Sequence, residues 1–487
     1  MNEELVSAAL LGTARKQPDF RYIDVGIDSE RLSGDPATVL LNAAALEFAY
    51  ERGALAATPA TIPEAAEDDP RYLLPSDAVG RVLELLATRS PVLGEWFAEA
   101  QRRDYRAPDE SMAALLAFAA SSAEHRRSIL RLAGTRGQWL AKQNSEWADL
   151  VAFRPGDVDI WTHGATRDRR RWLAELRDAD PAAARSHLAA TWSSETGTDR
   201  AAFLAQLEVG LNNSDEDLLE SALDDGRREV RETAARLLRR LPHSRYGERM
   251  AARARSWLHV EGGDHVTVSV PTSIDTTGRR DGISDNDFRA TNKRAAWLLQ
   301  VVGATPLSTW ADLFDSPARA VTSGIDADWH MCVVRGWAQA AVAQADSEWA
   351  DALIDESHAD IASLLTQASE AARERYILGS TPALLTAPAP NPLSTLRHPW
   401  SREVCLHVLK LILERSDGAV KELRRTRTNS PAGADTALRL ARANFPIEAF
   451  PAVRAAADRC ADPGWAQSLN AIAHTLIQRK TMLEELQ

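Results

Sequence analysis

The chain has 487 residues, 45% of them hydrophobic and 26% charged, with a formal net charge of −12. That much apolar side chain is ample for a buried core, and the acidic balance argues against a dedicated nucleic-acid binder while leaving room for one basic face. No run approaches the ~18 apolar residues of a bilayer span, the N-terminus opens with acids rather than a secretory leader, and Cys332, Cys405 and Cys460 are too scattered for a disulfide framework, so no membrane contact and a cytoplasmic protein are expected.

Residues 1–57 read as an N-terminal helical segment: a helix from Glu3 to Lys16, then one from Ala37 to Arg52 that Asp35 caps and Pro36 opens. Residues 58–76 carry four prolines and an acidic run, the composition of a loop or linker. A helical repeat array is expected over 77–258. In it Arg167 to Asp178 turns Trp172, Leu173 and Leu176 inward, and Asp180-Pro181 starts the next helix. Residues 259–292 break the pattern: His265 to Pro271 alternates Val266, Val268 and Val270, a short strand followed by polar loop. A C-terminal helical repeat region fills 293–487, with a proline-rich connector at 382–399. Short echoes recur there and upstream: EWADLV (146–151), TWADLF (309–314), EWADAL (348–353), and GWAQ at 336–339 and 464–467. The fourteen Trp are scattered, which favours recurrent packing positions over one aromatic platform.

The clearest unit is Ser214 to Leu241, two short helices around Asp224-Asp225-Gly226. Asp215, Glu216 and Asp217 suit the first helix N-terminus, and Val230, Ala234, Leu237, Leu238 and Leu241 form one stripe of the second. Glu232 and Arg236 have the spacing of an i, i+4 pair. Neither helix buries its apolar face alone, so stacked neighbours are required. The expected fold is therefore all-α, a HEAT-like α-solenoid or α-α superhelix with one short β insertion. Asp225, Val230, Arg231, Ala234 and Leu237 are read as structural repeat residues. Arg228, Arg236, Arg239, Arg240, Arg249 and Arg253 are the candidate partner-binding basic face, with Arg167, Arg169, Arg170 and Arg171 as a second cluster and Lys421, Arg424, Arg425 and Arg427 as a third.

ALLGTARK (9–16), DDGRREVRETAARLLRRLP (224–242), VSVP followed by RRDGI (268–271, 279–283) and HPWS (398–401) resemble, in the same order, one bacterial family of HEAT-like helical proteins with a domain of unknown function. The resemblance spans most of the chain. Such proteins are often encoded near MoxR-type AAA+ ATPases, von Willebrand factor A-domain proteins and SWIM zinc-finger proteins. It implies a cytoplasmic protein partner, an AAA+ ATPase or a von Willebrand factor A-domain protein, and brings no catalytic residue.

No phosphate loop, H-E-x-x-H, C-x-x-C or G-x-S-x-G occurs. The closest approaches to a metal pair, His330 with Cys332 and Cys405 with His407, have spacing that turns neighbours apart on a helix. The expectation is a non-catalytic, cofactor-free scaffold or adaptor that binds a protein partner. The alternative is a HEAT-like DNA-binding or DNA-repair protein with a basic concave face exposing Trp.

Overall fold

The computed structural model of the protein describes residues 3–17, 19, 32–53, 63–151, 156–261, 265–285, 290, 292–356, 360–423 and 433–487, which hold 25 α-helices and two small sheets. They form two compact units, Met1–Ala66 and Glu67–Gln487.

In the first unit, helices Glu3–Leu11 and Pro36–Gly53 bury Leu5, Ala8, Leu40 and Ala43. The first helix stops at Leu11, short of the expected Lys16. Gly12 takes a positive φ of 81°, and the N–H groups of Arg15 and Lys16 donate back to its carbonyl. Asp35 accepts from the N–H groups of Ala37 and Thr38, as a cap should. The Thr38 hydroxyl bond holds its carboxyl below the usual carboxylate range.

The second unit takes in the end of the proline-rich acidic stretch, where Tyr72–Leu73 pairs in parallel with Tyr105–Arg106. One hydrophobic core runs from Trp161 to Ala372, across the 259–292 stretch. The expected strand is shorter, His265–Val268, and lies in the middle of a three-stranded sheet. Leu258–Glu261 pairs with it antiparallel and Gly324–Ile325 in parallel. The alternation puts Val266 in the core while His265 stays exposed.

The helix Lys293–Ala304 is buried all round from Ala295 onward, which marks it as a core helix. Its partner is the helix Ala327–Gln344, and small residues at the crossing let the two backbones approach. A Cβ on Gly336 would fall 2.6 Å from the Val302 side chain. The neighbouring Trp337 receives Trp310 at 5.9 Å and Trp349 at 5.4 Å between ring centroids. Two of the WAD echoes thus pack on the Trp of the first GWAQ.

The 382–399 stretch is not an extended connector. It turns through short 3₁₀ segments, Pro382–Thr386 and Pro392–Thr395, and buries Leu384, Leu385 and Leu393 in the C-terminal core. The last helix, Pro463–Glu485, joins two cores: Trp465, Leu469 and Ile472 belong to the C-terminal one, Met482 and the following Leu486 to that of residues 74–150. Arg479 on this helix is buried and donates both to Glu95 and to the Phe445 carbonyl.

A methyl group at position 336 overpacks the crossing. Gly336→Ala is expected to lower stability by about 1–3 kcal/mol, read as an earlier urea midpoint at unchanged slope; an unshifted midpoint contradicts the close approach.

Candidate partner-binding groove

The hairpin forms as helices Glu216–Ala222 and Arg228–Leu238, with Val230, Ala234 and Leu237 fully buried. Asp215 does more than face a helix dipole. It closes a capping box with Asn212 and accepts two bonds from Arg177, with both side chains out of contact with solvent. The remaining Arg177 donors reach the carbonyls of Val209, Pro181 and Leu207, so the buried guanidinium is satisfied.

Asp225 sits at the hairpin turn and accepts from Arg200 of the preceding helix at 2.7 Å, while Arg231 donates to the Asp225 carbonyl at 2.7 Å. Burial pushes the Asp225 carboxyl up, but the bonds from Arg200 and from the Arg227 N–H outweigh it, and the group lies below the usual carboxylate range.

The candidate basic face divides. Arg249 and Arg253 do not face solvent as a set: both donate to Asp281, whose side chain is fully buried, and Arg249 also to Glu220. Arg280 beside it reaches Asp224 at 2.6 Å and the Glu220 carbonyl. Its bond holds the Asp224 carboxyl down, and the Arg280 guanidinium is raised in turn. These arginines clamp the RRDGI segment onto the hairpin. The helix Arg245–Trp257 exposes one face in sequence, but its arginines are covered by Asp281, 28 to 32 residues downstream, and by Glu220, 29 residues upstream of Arg249. Arg228 is exposed and pairs with Glu232 at 2.7 Å. The expected Glu232–Arg236 pair is therefore absent, because Arg236 is drawn across to Glu208 on the preceding segment.

Arg236, Arg239 and Arg240 remain together. With Arg335 and Gln339 of the helix Ala327–Gln344 they line a groove of about 950 Å³, closed on one side by Asp360 and Ser363. Four guanidiniums, those of Arg236, Arg239, Arg240 and Arg335, line the groove together with the carboxylates of Glu208 and Asp360. Glu208 is shared by Arg236 and Arg240, and all three are substantially exposed, the kind of surface pair a ligand displaces cheaply. Asp360 is committed to capping the next helix through Ser363. Arg239 has no carboxylate or other acceptor among the described residues, and its Nε is buried. The buried Gln339 Nε2 also lacks an acceptor. Both residues line the same cationic groove.

Arg335 and Gln339 were not legible as site residues, since they lie about a hundred positions from the hairpin. Of the second cluster, Arg167 pairs with Asp149, Arg169 with Glu195 and Arg171 with Glu175. In the third, the Lys421 side chain and Arg424, Arg425 and Arg427 lie outside the described residues. The fourteen Trp are buried or half-buried, and none lines the groove. Among the described residues no three metal-ligating side chains cluster, and no helix is long and apolar enough to cross a membrane.

A family profile described as a family of unknown function (DUF5691) matches residues 4–486, and the chain belongs to that family. Neither curated proteins nor solved structures give a match.

Removing the Asp281 charge strands two arginines. Asp281→Asn is expected to cost about 3 kcal/mol, from the penalty of breaking a buried pair, seen as a lower thermal midpoint; an unchanged midpoint contradicts the clamp. Because the folded Asp225 carboxyl is depressed, its stabilisation is present above the unfolded value, about pH 4, and is lost as pH falls through the folded one. Arg200→Ala should accordingly flatten the decline of stability below about pH 4 in acid titrations monitored by circular dichroism, and an unaltered acid limb contradicts the Arg200–Asp225 link.

Proposed function

We propose that this DUF5691 protein is a non-catalytic helical scaffold, and that it seats an acidic segment of a protein partner in the groove of Arg236, Arg239, Arg240 and Arg335. The observation that carries the reading is the gathering of Arg236, Arg239, Arg240 and Arg335 in one groove, where Arg239 has no carboxylate among the described residues. A carboxylate side chain supplies the opposite charge, and Arg forks bind it bidentately. The Glu208 pairs keep Arg236 and Arg240 extended and exchangeable before the partner arrives.

The hairpin belongs to a HEAT-like solenoid in this reading. In support, the turn carboxylate of Asp225 ties it to the preceding helix through Arg200, and a stripe of Val230, Ala234 and Leu237 is buried between neighbours. The partner is an AAA+ ATPase of the MoxR type or a von Willebrand factor A-domain protein in the cytoplasm. Charge complementarity on such a surface governs association rate and specificity.

The test is affinity purification of the tagged full-length chain from its own host, with nuclease, as wild type and as the Arg239→Glu/Arg240→Glu variant. The expected outcome is a nuclease-resistant ATPase or A-domain partner recovered by wild type, and about ten-fold or more weaker binding of the purified partner by the variant. Recovery dominated by nuclease-sensitive nucleic acid, or a partner bound equally by the variant, would overturn the proposal. Nucleic-acid recovery would leave the DNA-binding alternative, which the interior placement of the Trp side chains does not favour.

A further inference from the structure

A second cleft, of about 960 Å³, lies in the larger unit between helices Leu93–Arg102 and Met112–Ser121 on one side and Asp435–Asn444 and Pro463–Glu485 on the other. It shares no residue with the arginine groove. Its volume is that of a site for a small molecule. We infer that it binds a small polyanion carrying two or more phosphate or carboxylate groups, held by Arg89, Arg439 and Arg442.

Three observations converge. Most arginines near carboxylates in this acidic chain are paired, yet Arg89 and Arg439 have no carboxylate partner among the described residues, and Arg442 reaches only the Thr475 hydroxyl at 3.3 Å. Arg439 and Arg442 are three apart on one helix and so project from one face, while Arg89 comes from the opposite wall. Three carboxylates line the cleft, Glu95, Glu124 and Asp435, and the half-buried Glu95 is already answered: Arg479 donates to it twice and His398 approaches it at 3.3 Å. Burial pushes the Glu95 carboxyl up, and these bonds more than reverse the shift, so it stays an anion neutralised from behind. Its charge is therefore met by Arg479 and His398, and neither Glu124 nor Asp435 forms an ion pair with Arg89, Arg439 or Arg442 among the described residues.

The third observation is backbone geometry. The helix Ser76–Ala87 ends at Thr88, and the next residue takes a left-handed φ of 48°. That C′ position ordinarily holds glycine, which meets no Cβ penalty there. Here it holds an exposed arginine whose side chain lines the cleft. A side chain kept where the backbone disfavours one points to a use for the side chain.

This geometry yields a test in which stability and binding move in opposite directions. Arg89→Gly relieves the left-handed backbone, so its thermal midpoint should hold or rise, whereas loss of one guanidinium–oxyanion contact should weaken ligand binding about ten-fold or more. Calorimetric titration of the full chain with inorganic pyrophosphate, and separately with citrate, reads the affinity. The expected result is saturable one-to-one binding of at least one probe, weakened by Arg89→Gly and by Arg439→Ala but not by Arg239→Glu/Arg240→Glu. Tighter binding of pyrophosphate would identify a phosphate ester as the ligand class, and tighter binding of citrate a polycarboxylate. No saturable binding of either probe, or binding indifferent to the cleft substitutions, would overturn the inference. The adaptor reading of the other groove stands or falls separately.

Discussion

A carboxylate with no access to water, that of Asp281, needs cations around it, and Arg249 and Arg253 supply them from a helix 28 to 32 residues upstream. That requirement fixes how the strand-and-loop excursion after residue 258 sits. It has to lie across the helix Arg245–Trp257 and against the hairpin, where Arg280 meets Asp224. Buried ion pairs add little net stability over apolar packing, but half of one is costly. Their effect here is to select one arrangement of the hairpin, the following helix and the insertion. The fully buried Arg177–Asp215 pair does the same on the other side of the hairpin. With both sides of the hairpin pinned, the C-terminal end of Arg228–Leu238 presents Arg236, Arg239 and Arg240 as a fixed set.

The second half of the groove depends on the crossing of two helices. Gly336 and Gly303 let Lys293–Ala304 and Ala327–Gln344 approach, and the same crossing carries Arg335 and Gln339 toward the arginines of the hairpin. Trp337, one residue on, is the point where the echoed Trp310 and Trp349 meet. The core and the groove are thus two faces of one helix: Trp337 is buried, and Arg335 and Gln339 line the groove.

Much of the fold was legible in the sequence, for a physical reason. Val230, Ala234 and Leu237 repeat at helical spacing, Asp35 and Asp180 precede prolines at helix starts, and Val266 alternates with polar neighbours. Each signal is local and each element formed. The site was only half legible. Arg249 and Arg239 both sit on amphipathic helical stretches rich in arginine, yet one is consumed by Asp281 and the other has no acceptor among the described residues. What separates them is a carboxylate brought by the tertiary fold, and no local pattern encodes it. Arg335 and Gln339 were missed for the same reason, and the packed 382–399 stretch because proline content hides how much leucine it buries.

The most direct measurement is hydrogen–deuterium exchange of the full chain with and without the purified acidic partner proposed for the groove. The account predicts slowed exchange at residues 236–240, 335–342 and 361–367, with the Asp435–Asn444 helix unaffected. A footprint elsewhere, or none at these three segments, would contradict it.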